Sequence, residues 1–254
     1  MKKILKIISF VFIASLIFIG CDEYNEITTP YTTGSANFSK FVTIGNSLTA
    51  GYQSAALFES AQNYSYGNLI AGHMNTLFAQ PIYSDPGTGG RMEVVSLDPF
   101  VSTFNPNVGV PTNLSYPAPY NNLGIPGALL YDVANATNSS DCASALFAGK
   151  PNPMFDLILR NSVLELGTQL EQAAVLNPSL VTLWIGNNDV LGFATSGGTA
   201  PTAPTDVPTF TALYNLTAAG VANLNANVVV ANLPDVTTIP YFTTVGPTMA
   251  LSIP

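Results

Sequence analysis

Charge is what this sequence lacks most. Only 9% of its 254 residues are Asp, Glu, Lys or Arg, where an average soluble protein carries roughly 25%. Asn, Ser and Thr, 67 residues together, supply the polarity instead. Basic residues number seven against 15 acidic, a net charge of −8. That argues against a nucleic-acid partner, because phosphate contacts need a basic patch. Two cysteines are too few for a disulfide framework, and a single histidine excludes a His-rich metal site. No internal repeat is visible, which sets aside solenoids and propellers. What the chain does have is apolar residues, 47% of the total, enough for a core in one large domain or two small ones.

The first 20 residues read as an address. Lys2, Lys3 and Lys6 precede an uncharged run at 7–19, and Gly20-Cys21 ends it. A stable spanning helix needs about 20 apolar residues, so this run of 13 is too short. The segment resembles a bacterial lipobox, with Phe18 where Leu is usual. The resemblance implies that residues 1–20 are a signal peptide and that Cys21 is lipidated. The alternative is an ordinary secretory signal; both export the protein. Removing the three lysines leaves four basic residues against 15 acidic, a charge of −11. Acyl chains, not electrostatics, would then hold the protein to a membrane. The expected location is the cell envelope, at the outer membrane. Residues 21–37 are expected to form a flexible tether, and residues 38–254 the folded domain.

Within that domain short apolar runs alternate with helical periodicity. The β-rich runs are 41–44, 92–97, 180–185 and 228–231; helical spacing covers 69–78, 162–176 and 210–223. Residues 79–121 and 192–208 read mostly as surface loops rich in Gly, Pro, Asn or Thr. Strands alternating with helices predict an α/β fold with a parallel sheet. Ligands of such sheets bind at the carboxyl ends of the strands.

Three polar clusters stand at those places. Gly45-Asn46-Ser47-Leu48 follows the first run, Asn122-Leu123-Gly124-Ile125-Pro126-Gly127 comes later, and Gly186-Asn187-Asn188-Asp189 follows the run at 180–185. Each has an ordinary alternative: Ser47 as a helix N-cap, the other two as turns. As a set, in this order, they resemble the SGNH hydrolases, also called GDSL esterases and lipases. The resemblance spans residues 38–254. It implies a three-layer α/β/α, flavodoxin-like fold with Ser47 as nucleophile. Oxyanion donors would come from the Ser47 and Gly127 N–H groups and from the Asn188 side chain. It also implies a carboxylic ester as substrate, whether a lipid, a glycan ester or a smaller molecule, and no metal or organic cofactor. The chemistry would be acyl transfer through a tetrahedral intermediate.

Two departures from the family pattern bear on activity. Asn46 replaces the usual Asp before the serine, which keeps the shape and loses the charge. No Asp-x-x-His motif occurs, and the sole histidine, His73, sits in a helical stretch flanked by apolar residues. The chain is therefore expected to be a fragment whose last strand and C-terminal helix, with the acid and base, are missing, and to be inactive by itself. The alternative is a surface lipoprotein that uses the fold only to bind a ligand such as a glycan. Cys142 reads as an ordinary free thiol in a polar turn. The run at 228–231 would form an apolar sheet edge and an aggregation hazard.

Overall fold

The structure is a computed structural model, and it describes residues 34, 36–199 and 204–245. The signal peptide, Cys21 and most of the tether read from the sequence lie outside the described residues.

A parallel four-stranded sheet carries the fold. β1 (Phe41–Gly45) and β5 (Leu180–Trp184) run through its middle. β4 (Asn122–Gly124) flanks β1, and β6 (Asn227–Val230) flanks β5, giving the order β4-β1-β5-β6. The register sets Gly45 level with both Gly124 and Trp184. β1 is buried along its whole length, as expected of a strand covered on both faces. Its side chains alternate between two layers. Val42 and Ile44 join Leu123, Val181 and Leu183 in the larger core. Helices α4 (Asp132–Asn135), α6 (Met154–Leu159), α8 (Gln169–Leu176) and α10 (Val207–Ala222) cover that face through Val133, Phe155, Ala173 and Val221. Phe41 and Leu180 point the other way, against Ala71 of α3 (Tyr66–Met74). Near the strand ends on this face, the Tyr66 ring lies 5.8 Å from that of Trp184. These layers form the three-layer α/β/α architecture read from the sequence.

The remaining α-helices are short. They are α1 (Ser47–Ala50), α2 (Glu59–Gln62), α5 (Ala143–Ala148), α7 (Asn161–Leu164) and α9 (Asn188–Thr195). An antiparallel ribbon of β2 (Arg91–Leu97) and β3 (Phe100–Asn105) stands apart from the main sheet.

Several readings are corrected here. The run at 92–97 is not a member of the parallel sheet but half of that ribbon. The sheet's place beside β1 goes to Asn122–Gly124, too short to announce itself by alternation. The helix read over 162–176 is two helices. Glu165 and Gly167 take left-handed backbone (φ 53° and 82°), and Thr168 opens a new helix with a capping box closed by Glu171. The helix over 69–78 starts earlier and stops at Met74, because Asn75 turns left-handed (φ 51°). The loop read at 192–208 is shorter: α9 runs to Thr195, and α10 starts at Val207.

Candidate active site

The carboxyl ends of β4, β1 and β5 lie side by side, and the three predicted site residues follow them. Neighbouring strands are roughly 4.8 Å apart, so residues just past these ends share one edge.

Ser47 opens α1 immediately beyond Asn46. The helix cap is Asn46, whose Oδ1 accepts from the Leu48 N–H at 3.2 Å. Ser47 is thus the first helical residue and not the cap. Among the described residues no group hydrogen-bonds to its Oγ or to its backbone N–H. The side chain is half-buried. α1 sits very close to the strand ends, and glycine makes that possible. A Cβ on Gly45 would collide with the Thr49 side chain, and one on Gly124 with Thr49 and the Ala50 backbone. Gln169, fully buried in α8, donates to the Gly45 carbonyl at 2.8 Å and also to the Leu123 carbonyl.

Gly127 takes a left-handed backbone (φ 83°), a conformation that costs an L side chain about 1–2 kcal/mol. Its N–H also has no acceptor among the described residues. The loop that carries it is held at successive positions. The Ala128 carbonyl accepts from the Asn188 side chain at 2.9 Å. The Leu129 N–H donates to Asp132 at 2.7 Å, and the Leu130 N–H to Asp189 at 2.9 Å. Before the glycine, the Pro126 carbonyl accepts from the Asn152 side chain at 2.8 Å. A clamped loop fixes where the Gly127 N–H points before any ligand arrives. An Asn side-chain amide has two hydrogens. One of Asn188's meets Ala128, and the other has no acceptor among the described residues.

Both clamping carboxyls are buried. Desolvation pushes Asp132 up to about 6, against the opposing pull of the Ala143 and Leu129 N–H groups, with the Asp189 charge adding to the rise. Burial likewise raises Asp189, opposed by the Leu130 N–H and the Thr205 hydroxyl. Asp189 stands in the quoted Gly-Asn-Asn-Asp cluster. Asp132, Asn152 and Gln169 escaped sequence reasoning, because nothing local marks an Asp, Asn or Gln that will end up bonded to a distant backbone.

His73 lies on the last turn of α3 and is exposed. Its neighbours Ala71 and Met74 pack on Phe41 and Leu180, the first residues of β1 and β5. It therefore stands at the opposite end of the sheet from Ser47. Cys142 is a free thiol but not a surface one: it is fully buried in the main core, donating to the Ser139 carbonyl at 3.2 Å.

A family model described as GDSL-like lipase/acylhydrolase matches residues 41–250. The chain belongs to this family. The match takes in the described edge from end to end, and the GDSL-like hydrolases give it a chemical class. No curated protein and no solved structure matches the chain significantly. In the GDSL-like chain, Ser47, Gly127 and Asn188 occupy one sheet edge, and His73 does not join them.

Proposed function

We propose that this GDSL-like hydrolase cleaves carboxylic esters at the edge that holds Ser47. The observation that carries the reading is that the backbone N–H groups of Ser47 and Gly127 and the Ser47 hydroxyl, all at one edge, have no hydrogen-bond partner among the described residues. Ser47 Oγ attacks the ester carbonyl. The carbonyl oxygen gains charge and takes hydrogen bonds from the two N–H groups and from the free hydrogen of the Asn188 amide. Each such donor is typically worth about 3–4 kcal/mol in the transition state. The leaving alcohol departs, and water releases the acyl group from Ser47. As part of the same proposal, the protein is exported and held to the cell envelope by acyl chains on Cys21.

The proton of Ser47 needs a base, and no histidine stands at this edge. We expect the 254 residues alone to turn over esters slowly, because loss of the base removes most triad catalysis and leaves only the oxyanion contribution. A slow nucleophile is still a traceable one. Incubation with p-nitrophenyl acetate, digestion and mass spectrometry should find the acetyl group on Ser47. Acetyl on other residues only, or an unchanged pattern in Ser47→Ala, overturns the reading.

The position of His73 favours a second reading, in which the same edge binds a ligand such as a glycan without cleaving it. Saturable glycan binding with no acetylation of Ser47 is the result that reading requires.

A further inference from the structure

We propose that the ribbon of β2 and β3 is a membrane-contact surface, one side of which lies on the zwitterionic surface of a lipid bilayer. This rests on the Cys21 anchor in the reading above and is independent of the chemistry at Ser47.

The register sorts the ribbon's side chains. Residues opposite each other share a side of an antiparallel pair, and the sides alternate along each strand. Arg91 stands opposite Asn105, Glu93 opposite Thr103 and Ser96 opposite Val101. On the other side Met92 stands opposite Phe104, Val94 opposite Ser102 and Leu97 opposite Phe100. The first set is mostly polar and the second almost wholly apolar. A register shift between Val94 and Ser96 keeps it so. Without that extra residue Ser96, and not Leu97, would stand on the apolar side.

The polar side turns toward the domain. Arg91 pairs with Asp85 at 2.8 Å and with Glu93 at 2.9 Å, and its guanidinium lies 4.5 Å from the centre of the Phe58 ring. Asn105 donates to Glu93 at 3.0 Å. The apolar side turns away. Leu97 is 82% exposed and Phe100 66%, and Met92, Val94 and Phe104 are exposed with them.

Contiguous apolar side chains left this open mark a contact surface. The composition of this one fits lipid better than protein. A protein interface carries about one hydrogen bond per 100–200 Å² and a polar rim, whereas this side of the ribbon offers one hydroxyl, that of Ser102. Its charge fits a neutral surface. Arg91, the ribbon's only cation, is on the other side and already paired, and the chain carries a net charge of −8. Asp98, in the turn between the strands, adds to the repulsion from anionic headgroups. Distance favours the bilayer too. Residues 21–37, as a flexible chain ending on a lipidated Cys21, would span roughly 20–25 Å. That is less than the diameter of a small domain, about 30 Å. A domain so tethered stays beside the membrane, and short tethers give effective concentrations in the millimolar range.

The test is quenching of tryptophan by brominated phosphatidylcholine. In the full chain carrying Trp184→Phe, Phe100→Trp or Leu97→Trp places the single indole on the apolar side, and Thr103→Trp places it on the polar side. Each chain is purified from the membranes of a bacterial host and reconstituted into phosphatidylcholine vesicles. Brominated lipid should quench the emission from positions 97 and 100 and spare that from position 103. Adding Val94→Asp should reduce the quenching at position 100, and so should replacing part of the lipid with phosphatidylglycerol. Equal quenching on the two sides, or none on either, overturns the contact. Emission at position 100 that is shifted to the blue but not quenched means that protein covers this side, a second copy included, and also overturns it. Quenching that requires phosphatidylglycerol overturns the assignment to a neutral surface. Fatty-acid labelling of Cys21 judges the anchor separately. Label without quenching at position 100 keeps the anchor and removes the ribbon contact. Quenching without label, on simple mixing with vesicles, keeps the contact and removes the anchor.

Discussion

Asn46 donates its side-chain amide to Oδ1 of Asn187 at 2.5 Å, joining the turn after β1 to the turn after β5. The same Asn46 caps α1 through its Oδ1. One fully buried side chain thus sets both the start of the Ser47 helix and its distance from the Asn188 turn. Asn46→Ala should cost about 1–3 kcal/mol, from the lost cap and the orphaned partner. Asn46→Asp keeps the cap acceptor and can accept from the Asn187 amide if that amide turns over, so its loss should be smaller. Urea denaturation of both variants checks this; an Asp variant as unstable as the Ala variant refutes the account.

The buried carboxyl of Asp132 gives stability a definite pH dependence. Its folded value is pushed up to about 6, and an unfolded chain has roughly 3.9. Between those values the folded protein keeps a proton that the unfolded chain has released. The stabilisation from that proton is full in acid and is lost as pH rises through about 6. From about pH 5 to about pH 7 this carboxyl alone should cost about 1 kcal/mol. Asp132→Asn cannot titrate. The difference in unfolding free energy between wild type and variant should therefore move by about 1 kcal/mol against wild type over that range. A difference that does not change with pH contradicts the assignment.

β6 pairs only with β5 among the described residues, and Val228, Val229 and Val230 are all exposed. Exposed apolar edges recruit other chains. The chain should associate as its concentration rises, and Val229→Lys should suppress this without lowering the melting temperature much. Sedimentation velocity over a concentration series is the check. Identical behaviour of the two proteins would show that the edge is not the cause.

The proposed lipid anchor makes a separate prediction. In a bacterial host fed a labelled fatty acid, the wild-type protein should take up label and Cys21→Ser should not. Label that persists in the variant places the lipid elsewhere.

The parallel sheet was legible in the sequence wherever a strand was long and apolar. Phe41-Val42-Thr43-Ile44 and Leu180-Val181-Thr182-Leu183 are covered on both faces, so neither needs alternation to be seen. Ser47, Gly127 and Asn188 were singled out by the resemblance to the SGNH hydrolases, since each Gly- and Asn-rich turn by itself reads equally well as a helix cap or a plain turn. Three-residue β4 was not, since its place beside β1 depends on long-range bonds such as that of Asn122 to the Thr49 carbonyl at 2.9 Å. The supports of the Gly127 loop stayed hidden for the same reason. Asp132 looks like any first-turn acid until Leu129 and Ala143 are folded onto it. The split of the helix near Gly167 could have been found: Gly167-Thr168 followed by Glu171 is a cap signature, overlooked inside a strong apolar period.

Trp184 ends β5 level with Gly45, its ring 5.8 Å from that of Tyr66. It is the chain's only tryptophan, and its indole N–H is buried with no partner among the described residues. The protein therefore carries a built-in optical probe at the one edge where its chemistry is expected. An indole shielded from water emits toward the blue, and solvent entry at the strand ends would move that emission to the red. Loosening of this edge can be followed in the unlabelled protein, one emitter reporting on one place.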